Sequence, residues 1–337
     1  SQSSGSANSA ASPLDSQCGG DPTAPRTWSF IASEPGAAIR TRTVAMMNQT
    51  KSKSVLLIAG PTASGKSALA LKLAKERDGV IINADALQVY RELRILSARP
   101  TDEEQHEAAH RLYGHVSGLD SYSVAHWLAD AKREIEAAWA LDKLPIVTGG
   151  TGLYFMALEQ GLAEVPPISP DIREKWRSFE GDLHGELLRR DRASARALKP
   201  NDRQRLSRAL EVLEGTGHPL SHWQREAQSH AFLKDVEVER HLVDVAREEL
   251  YIRAERRFDQ MMAAGALEEV RPLIKHGSVL PMMKAIGIPE LTSHLRGEIS
   301  LEEAIALAKT ATRQYIKRQL TWWRGQGTLE NWAAIPK

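Results

Sequence analysis

An α/β fold, with a parallel sheet flanked by helices and interrupted by an all-helical insertion, is the class that three features of this 337-residue chain predict. Apolar runs of strand length alternate with helix-prone stretches between residues 55 and 148, the order that produces parallel pairing through helical crossovers. The glycine-rich segment Gly60-Pro61-Thr62-Ala63-Ser64-Gly65-Lys66-Ser67 joins the first such run to the first helix-prone stretch. From Pro166-Pro167 to about Leu233 the strand-like sequence stops, and densely charged helical sequence replaces it.

Taken in order, residues 1-52 are rich in Ser, Ala, Gly, Pro and Thr and have no hydrophobic period. They cannot bury enough surface to offset chain entropy, which predicts a disordered tail. Arg26, Arg40 and Arg42 suggest a transit peptide, but no amphipathic pattern accompanies them, and Met46 or Met47 offers a later start. Folded structure is expected from Lys53, as a core of residues 53-165 and 234-337 around a helical insertion of 166-233. The run Val55-Leu56-Leu57-Ile58-Ala59 reads as the first strand. In the segment that follows, glycines let successive backbone N–H groups turn inward, the next helix points its positive end at the same place, and Lys66 adds an ammonium. A phosphate loop in this setting makes a P-loop NTPase-like core the expected fold and a bound di- or triphosphate the expected ligand. Gly79-Val80-Ile81-Ile82-Asn83-Ala84 reads as a second buried strand ending at Asp85. A helical stretch with Trp127 and Trp139 leads to a third strand over 143–148, closing on Gly149-Gly150-Thr151-Gly152. Strand sequence returns over 236–245, and residues 248–323 are helical, with Gly277 and Pro281 marking a turn.

Composition excludes several classes. No apolar run reaches membrane-spanning length, and a single cysteine, Cys18, rules out an internal disulfide framework and cysteine-based metal clusters. A cytoplasmic protein is the expectation. His218 and His222 sit four apart with Pro219 between them, and no nearby cysteine suggests further ligands, which favours a polar surface over a metal site. The formal charge of +1 is uninformative, because steering depends on where charges sit.

In parallel sheets function gathers at the carboxyl ends of the strands, so the phosphate loop, Asp85 and Thr151 fall on one edge. A nucleotide hydrolase usually has an acidic residue at the end of a strand beside the loop, to orient magnesium and water. Here the strand over 144–148 ends in glycines, leaving Asp85 as the carboxylate available, either as an indirect magnesium ligand or as a base. Two basic regions add a second clue. Arg189, Arg190, Arg192, Arg196, Lys199, Arg203, Arg205 and Arg208 outnumber Glu186, Asp191 and Asp202, and Lys309, Arg313, Lys317 and Arg324 share a helical stripe. Such clusters suit phosphate-backbone contacts, although a solvated helix face is the plainer reading. A kinase transferring a γ-phosphoryl group and a non-catalytic RNA-binding module both remain open from the residues alone.

Six dispersed segments carry a resemblance that extends from Val55 to Trp332. They are the phosphate loop; Asp85-Ala86-Leu87-Gln88-Val89-Tyr90-Arg91; Gly149-Gly150-Thr151-Gly152-Leu153-Tyr154; Asn201-Asp202-Arg203-Gln204-Arg205-Leu206-Ser207-Arg208-Ala209-Leu210-Glu211-Val212; Arg256-Arg257-Phe258 with Lys284-Ala285-Ile286-Gly287; and Thr312-Arg313-Gln314-Tyr315-Ile316-Lys317-Arg318-Gln319. In this order they resemble the bacterial tRNA dimethylallyltransferases, the IPP transferase family, which prenylate the N6 amine of the adenine next to the anticodon.

The resemblance implies that Gly60 through Ser67 hold the diphosphate of dimethylallyl diphosphate, with Ser67 on Mg2+, so that the bound phosphate is a leaving group. It implies that Asp85 takes the N6 proton, that Thr151 hydrogen-bonds near the amine and that Arg253 assists. Asp85, Ala86, Leu87, Gln88 and Thr151 would contact the flipped base. Arg173, Gln204, Arg205, Leu206, Ser207 and Arg208 would hold the anticodon stem-loop of the tRNA. No obligate protein partner is implied, and the expectation is a monomer. The family commonly has serine where this chain has Ala86, and tyrosine and lysine where it has Ile288 and Pro289. Adenylate isopentenyltransferases, which modify free nucleotides, share the loop and the acid but not the Gln-Arg-Leu-Ser-Arg run.

Overall fold

The computed structural model describes residues 53–276, 279–325 and 332–336. The expected tail over 1-52, with Cys18, and the turn residue Gly277 lie outside them. Six strands, β1 (Ser54–Ala59), β2 (Gly79–Asn83), β3 (Ala109–Arg111), β4 (Leu144–Gly149), β5 (Glu237–Asp244) and β6 (Ala333–Pro336), form one sheet in the order β3-β2-β4-β1-β5-β6. Every pairing is parallel.

β1 is a continuous apolar run because both of its faces are covered. Val55, Leu57 and Ala59 join a core with Trp127, Tyr154 and Phe155, which come from α3 (Val124–Ala140) and α4 (Gly152–Gln160). Leu56 and Ile58 point the other way, into a core with Ala70 of α1 (Lys66–Glu76) and with Leu250 and Ala254 of a long helix over 247–263. Short α2 (Asp102–Glu107) and long α3 both begin with capping boxes, from Thr101 with Glu104 and from Ser123 with His126.

After β4 and α4 the chain makes five helices before it returns to the sheet at β5: α5 (Pro170–Ser178), α6 (Leu183–Arg190), α7 (Arg192–Ala197), α8 (Arg203–Thr216) and α9 (Leu220–Ser229). Trp176, Leu183, Leu187, Ala195, Leu206, Ala209 and Leu210 form a small core within this segment. Four of its five helices start where Ser169, Asp182, Asp191 and Asp202 accept backbone N–H groups of the first turn, so local sequence sets those boundaries. After β5 come α10 (Arg247–Ala263), α11 (Ala266–Val270), α12 (Ile288–Leu295) and α13 (Leu301–Gly325). α13 lays Ala304, Ala308, Thr312, Ile316, Gln319 and Trp323 inward along its length.

β3 and β6 were not anticipated. β3 has three residues, Ala-His-Arg, and pairs only along the outer edge of β2, so it needs no apolar run to be recognised by a neighbour.

Candidate active site

The phosphate loop follows the end of β1. Gly65 adopts φ 88° and Ala63 φ 65°, both left-handed, which turns the loop tightly into α1. A Cβ at Gly60 would lie 2.7 Å from Ser64 Oγ and 3.3 Å from Val243, so the position has no space for a side chain. Lys66 donates from Nζ to the Pro61 carbonyl at 3.3 Å, curling back over the loop.

Asp85 is positioned by the end of β2. Asn83 is fully buried; its Oδ1 accepts the Asp85 N–H at 2.9 Å, and its Nδ2 donates to the Asp85 and Leu112 carbonyls at 3.0 Å each. Trp127 Nε1 donates to the Asn83 carbonyl at 2.7 Å, while its ring stacks on Tyr154 at 4.2 Å. Asp85 Oδ1 accepts from the N–H groups of Leu87 (2.9 Å) and Gln88 (3.4 Å), while Oδ2 has no partner among the described residues. One oxygen fixes the turn and the other is left for a ligand.

Thr151 is tied to the same turn. Its N–H donates to the Ala84 carbonyl at 3.2 Å, and its Oγ1 accepts the Ala86 N–H at 3.0 Å, which leaves the hydroxyl proton to donate elsewhere. β4 approaches so closely that a Cβ at Gly149 would fall 2.1 Å from the Ala84 oxygen. The glycines that end β4 are therefore there to let two strand ends meet.

A cavity of about 220 Å3 opens between these elements, lined by Thr62, Lys66, Asp85, Leu87 and Gln88 from the sheet edge and by Ala254, Arg257, Phe258, Thr312, Tyr315 and Arg318 from α10 and α13. A second cavity of about 390 Å3, on the Ser67 side, shares Ala98, Arg257 and Met261 with the first. Burial lowers Lys66 to about 8; the Asp85 charge opposes that shift and Arg257 adds to it. Arg257 is likewise lowered by burial, with Asp85 pulling the other way. Burial and the negative field of Asp85 push the phenols of Tyr113, Tyr154 and Tyr315 up, so all three stay neutral donors. Lys66, Arg257, Lys284 and Arg318, one carboxylate and neutral phenols at the carboxyl edge of a parallel sheet can hold an anionic leaving group beside a proton acceptor.

A family model described as IPP transferase matches residues 88–326. A tRNA dimethylallyltransferase of Azorhizobium caulinodans is 53% identical over 280 residues, covering 80% of this chain and 89% of its own. One from Nitrobacter hamburgensis is 50% identical over 286 residues, covering 83% and 90%. The chain belongs to the IPP transferase family. Two solved structures are similar to this family member. A full-length tRNA isopentenylpyrophosphate transferase from Bacillus halodurans has a TM-score of 0.61 at 32% identity, covering 84% of this chain and 90% of the other. A eukaryotic dimethylallyltransferase acting on tRNA has a TM-score of 0.74 at 27% identity, covering 85% and 74%.

The remaining expected residues are placed unevenly in this IPP transferase. Arg253 does not line the cleft: its Nε donates to Glu249 at 2.7 Å, one turn back along α10. Arg257, one turn on, does line it, and sequence spacing could not separate the two arginines because residues four apart share a helix face. Gln88 spends its amide nitrogen on the carbonyls of Ser97 (2.9 Å) and Ala98 (3.1 Å), which leaves its oxygen to accept.

On α5 and α8, Arg173, Gln204 and Arg205 are exposed. Leu206 and Ser207 are buried, and the Ser207 hydroxyl donates to the Trp176 carbonyl at 3.0 Å. They pack the helix instead of presenting a surface. The inward pattern Leu206, Ala209, Leu210 was readable as a helical stripe. Arg208 and Arg177 both reach Glu211, at 3.3 and 3.0 Å, and this carboxylate is only 2% exposed.

The expected basic stripe of α13 is half occupied. Lys309 pairs with Asp259 at 2.6 Å and Arg313 with Glu255, both across to α10. Arg318 faces the cleft and lies over the Tyr315 ring at 5.6 Å. His218 and His222 stack at 4.7 Å, and among the described residues no three His, Cys, Asp or Glu side chains could hold a metal ion together. Nor is any described helix long and apolar enough to cross a membrane.

Proposed function

We propose that this chain transfers the dimethylallyl group of dimethylallyl diphosphate to the N6 amine of the adenine next to the anticodon in tRNA, releasing diphosphate. The observation that carries the reading is the meeting of Lys66, Asp85 and Arg257 in one cleft, beside Thr151, in a chain with the similarities reported above. The N6 lone pair is delocalised into the ring and needs help. As N6 bonds to C1 of the prenyl group, the C1–O bond breaks, the N6 proton passes to Asp85 and the electron pair leaves on the diphosphate. The loop amides, Lys66 and Arg257 take up the charge of the leaving group. The Thr151 hydroxyl and the Gln88 oxygen orient the amine and base. Arg253, whose Nε is held by Glu249, would reach the diphosphate with its terminal N–H donors.

Mg2+ fits the donor set. The Ser67 hydroxyl opens onto the larger cavity, and Mg2+ is held mainly by phosphate oxygens and water with few protein ligands. When bound, it would neutralise diphosphate charge.

The insertion over 166-233 is the reading for the anticodon stem-loop, through Arg173, Gln204, Arg205 and Arg208, with Leu206 and Ser207 acting from inside. A monomer working in the cytoplasm completes the proposal. Extruding an adenine from a loop costs a few kcal/mol, less than from a duplex.

Incubation of protein, Mg2+ and labelled dimethylallyl diphosphate with unmodified tRNA, and separately with AMP, tests the reading. Label on tRNA alone supports it. Label on AMP moves the chain to the free-nucleotide enzymes, and consumption of ATP with no prenyl transfer makes it a kinase. Asp85→Ala is expected to lower single-turnover transfer about 10²- to 10⁴-fold while tRNA still binds; transfer within threefold of native removes the base from Asp85.

A further inference from the structure

Gln319 of α13 is 5% exposed, a polar side chain at an inward position of an otherwise mostly apolar helix stripe. Its Oε1 accepts the Thr62 N–H of the phosphate loop at 2.9 Å, and its Nε2 donates to the Gly150 carbonyl at 3.1 Å. A single planar amide thus spans the two loops that the proposed reaction must align, one holding the leaving group and the other carrying Thr151. The fit is tight: a Cβ at Gly150 would lie 2.4 Å from Nε2. The next turn of the helix locks the far side of the same loop, because a Cβ at Gly152 would sit 2.2 Å from the Trp322 ring.

We infer that Gln319 is a positioning residue for prenyl transfer: its amide fixes the separation of the diphosphate loop from the Thr151 loop, and with it the approach of the amine to the prenyl carbon. This rests on the function proposed above. Both loops keep their own internal hydrogen bonds without Gln319, so each ligand is still bound; what is lost is their mutual alignment. Misplacement by about 1 Å costs about 10²-fold in rate.

Gln319→Met keeps length and neutrality and removes both hydrogen bonds. The measurements are Kd for inorganic diphosphate, Kd for tRNA, single-turnover rate and Tm. Expected is a rate about 10²-fold lower, with both Kd values within threefold of native. Gly150→Ala displaces the amide from the other side and is expected to show the same split, which keeps the test open should Gln319→Met not fold. Native rate per folded molecule with only Tm lowered, or a loss confined to diphosphate affinity, overturns the inference: the first makes Gln319 structural, the second a support of one loop. If the native protein transfers no prenyl group to tRNA, the proposed function fails and this inference with it. A native enzyme that does so alongside equally fast variants sinks the inference alone.

Discussion

Lys66 carries a testable electrostatic consequence. Its charge is lost as pH rises through about 8. Affinity of the RNA-free enzyme for dimethylallyl diphosphate is therefore expected to weaken above pH 8, approaching tenfold per unit, and an affinity flat from pH 7 to 9.5 removes the ammonium from the site. Stability runs the other way. An unfolded lysine titrates near 10.4, so between about 8 and 10.4 the unfolded chain binds more protons and the ligand-free protein gains stability as pH rises. Arg257→Ala is expected to lower single-turnover rate about 10²- to 10³-fold, the size of losing one preorganised donor to developing charge. Arg257→Lys keeps charge without the fork and should recover part of that rate; full activity of both variants would show that Arg257 makes no contact with the leaving group.

The elements differ in how readable they were. β1, β2 and β4 announce themselves as apolar runs because helices cover both faces of the sheet, whereas β5 carries charged residues through its first half and is continuously apolar only at Leu242-Val243. β3 and β6 are short edge strands held by register with a neighbour, and no local pattern marks them. The phosphate loop, Asp85 and Thr151 were placed on one edge by topology alone. Arg257 and Gln319 needed coordinates, since a helix face narrows a contact to a stripe but does not say which rung reaches the ligand. Gln319 did leave a trace, as a polar residue in register with Ile316 and Trp323. The glycines ending β4 looked like a missing acid and are instead a steric requirement. Gly149→Ala is expected to cost about 1–3 kcal/mol by forced overpacking, because the obstructing atoms are Ala84 backbone and cannot rotate away. A urea midpoint matching that of the native protein would contradict this.

At the scale of the whole molecule, basic residues divide into those already paired and those free for a partner. Arg205 keeps only a 3.4 Å contact with Asp202 at the exposed start of α8. Arg205→Ala is expected to weaken tRNA binding and reduce its salt dependence by about one unit of slope; an unchanged slope would show that this arginine neutralises no phosphate. Sheet order has a further consequence, for synthesis. β1 finds one neighbour in β4 and the other in β5, with Ser54 beside Glu237, and Thr62 is met by a side chain 257 residues downstream. A ribosome emits β5 and Gln319 well after the loop they brace. The phosphate loop therefore leaves the exit tunnel long before the strand and helix that brace it, and a chain truncated before α13 carries the whole glycine-rich motif without the amide that ties it to the Thr151 loop.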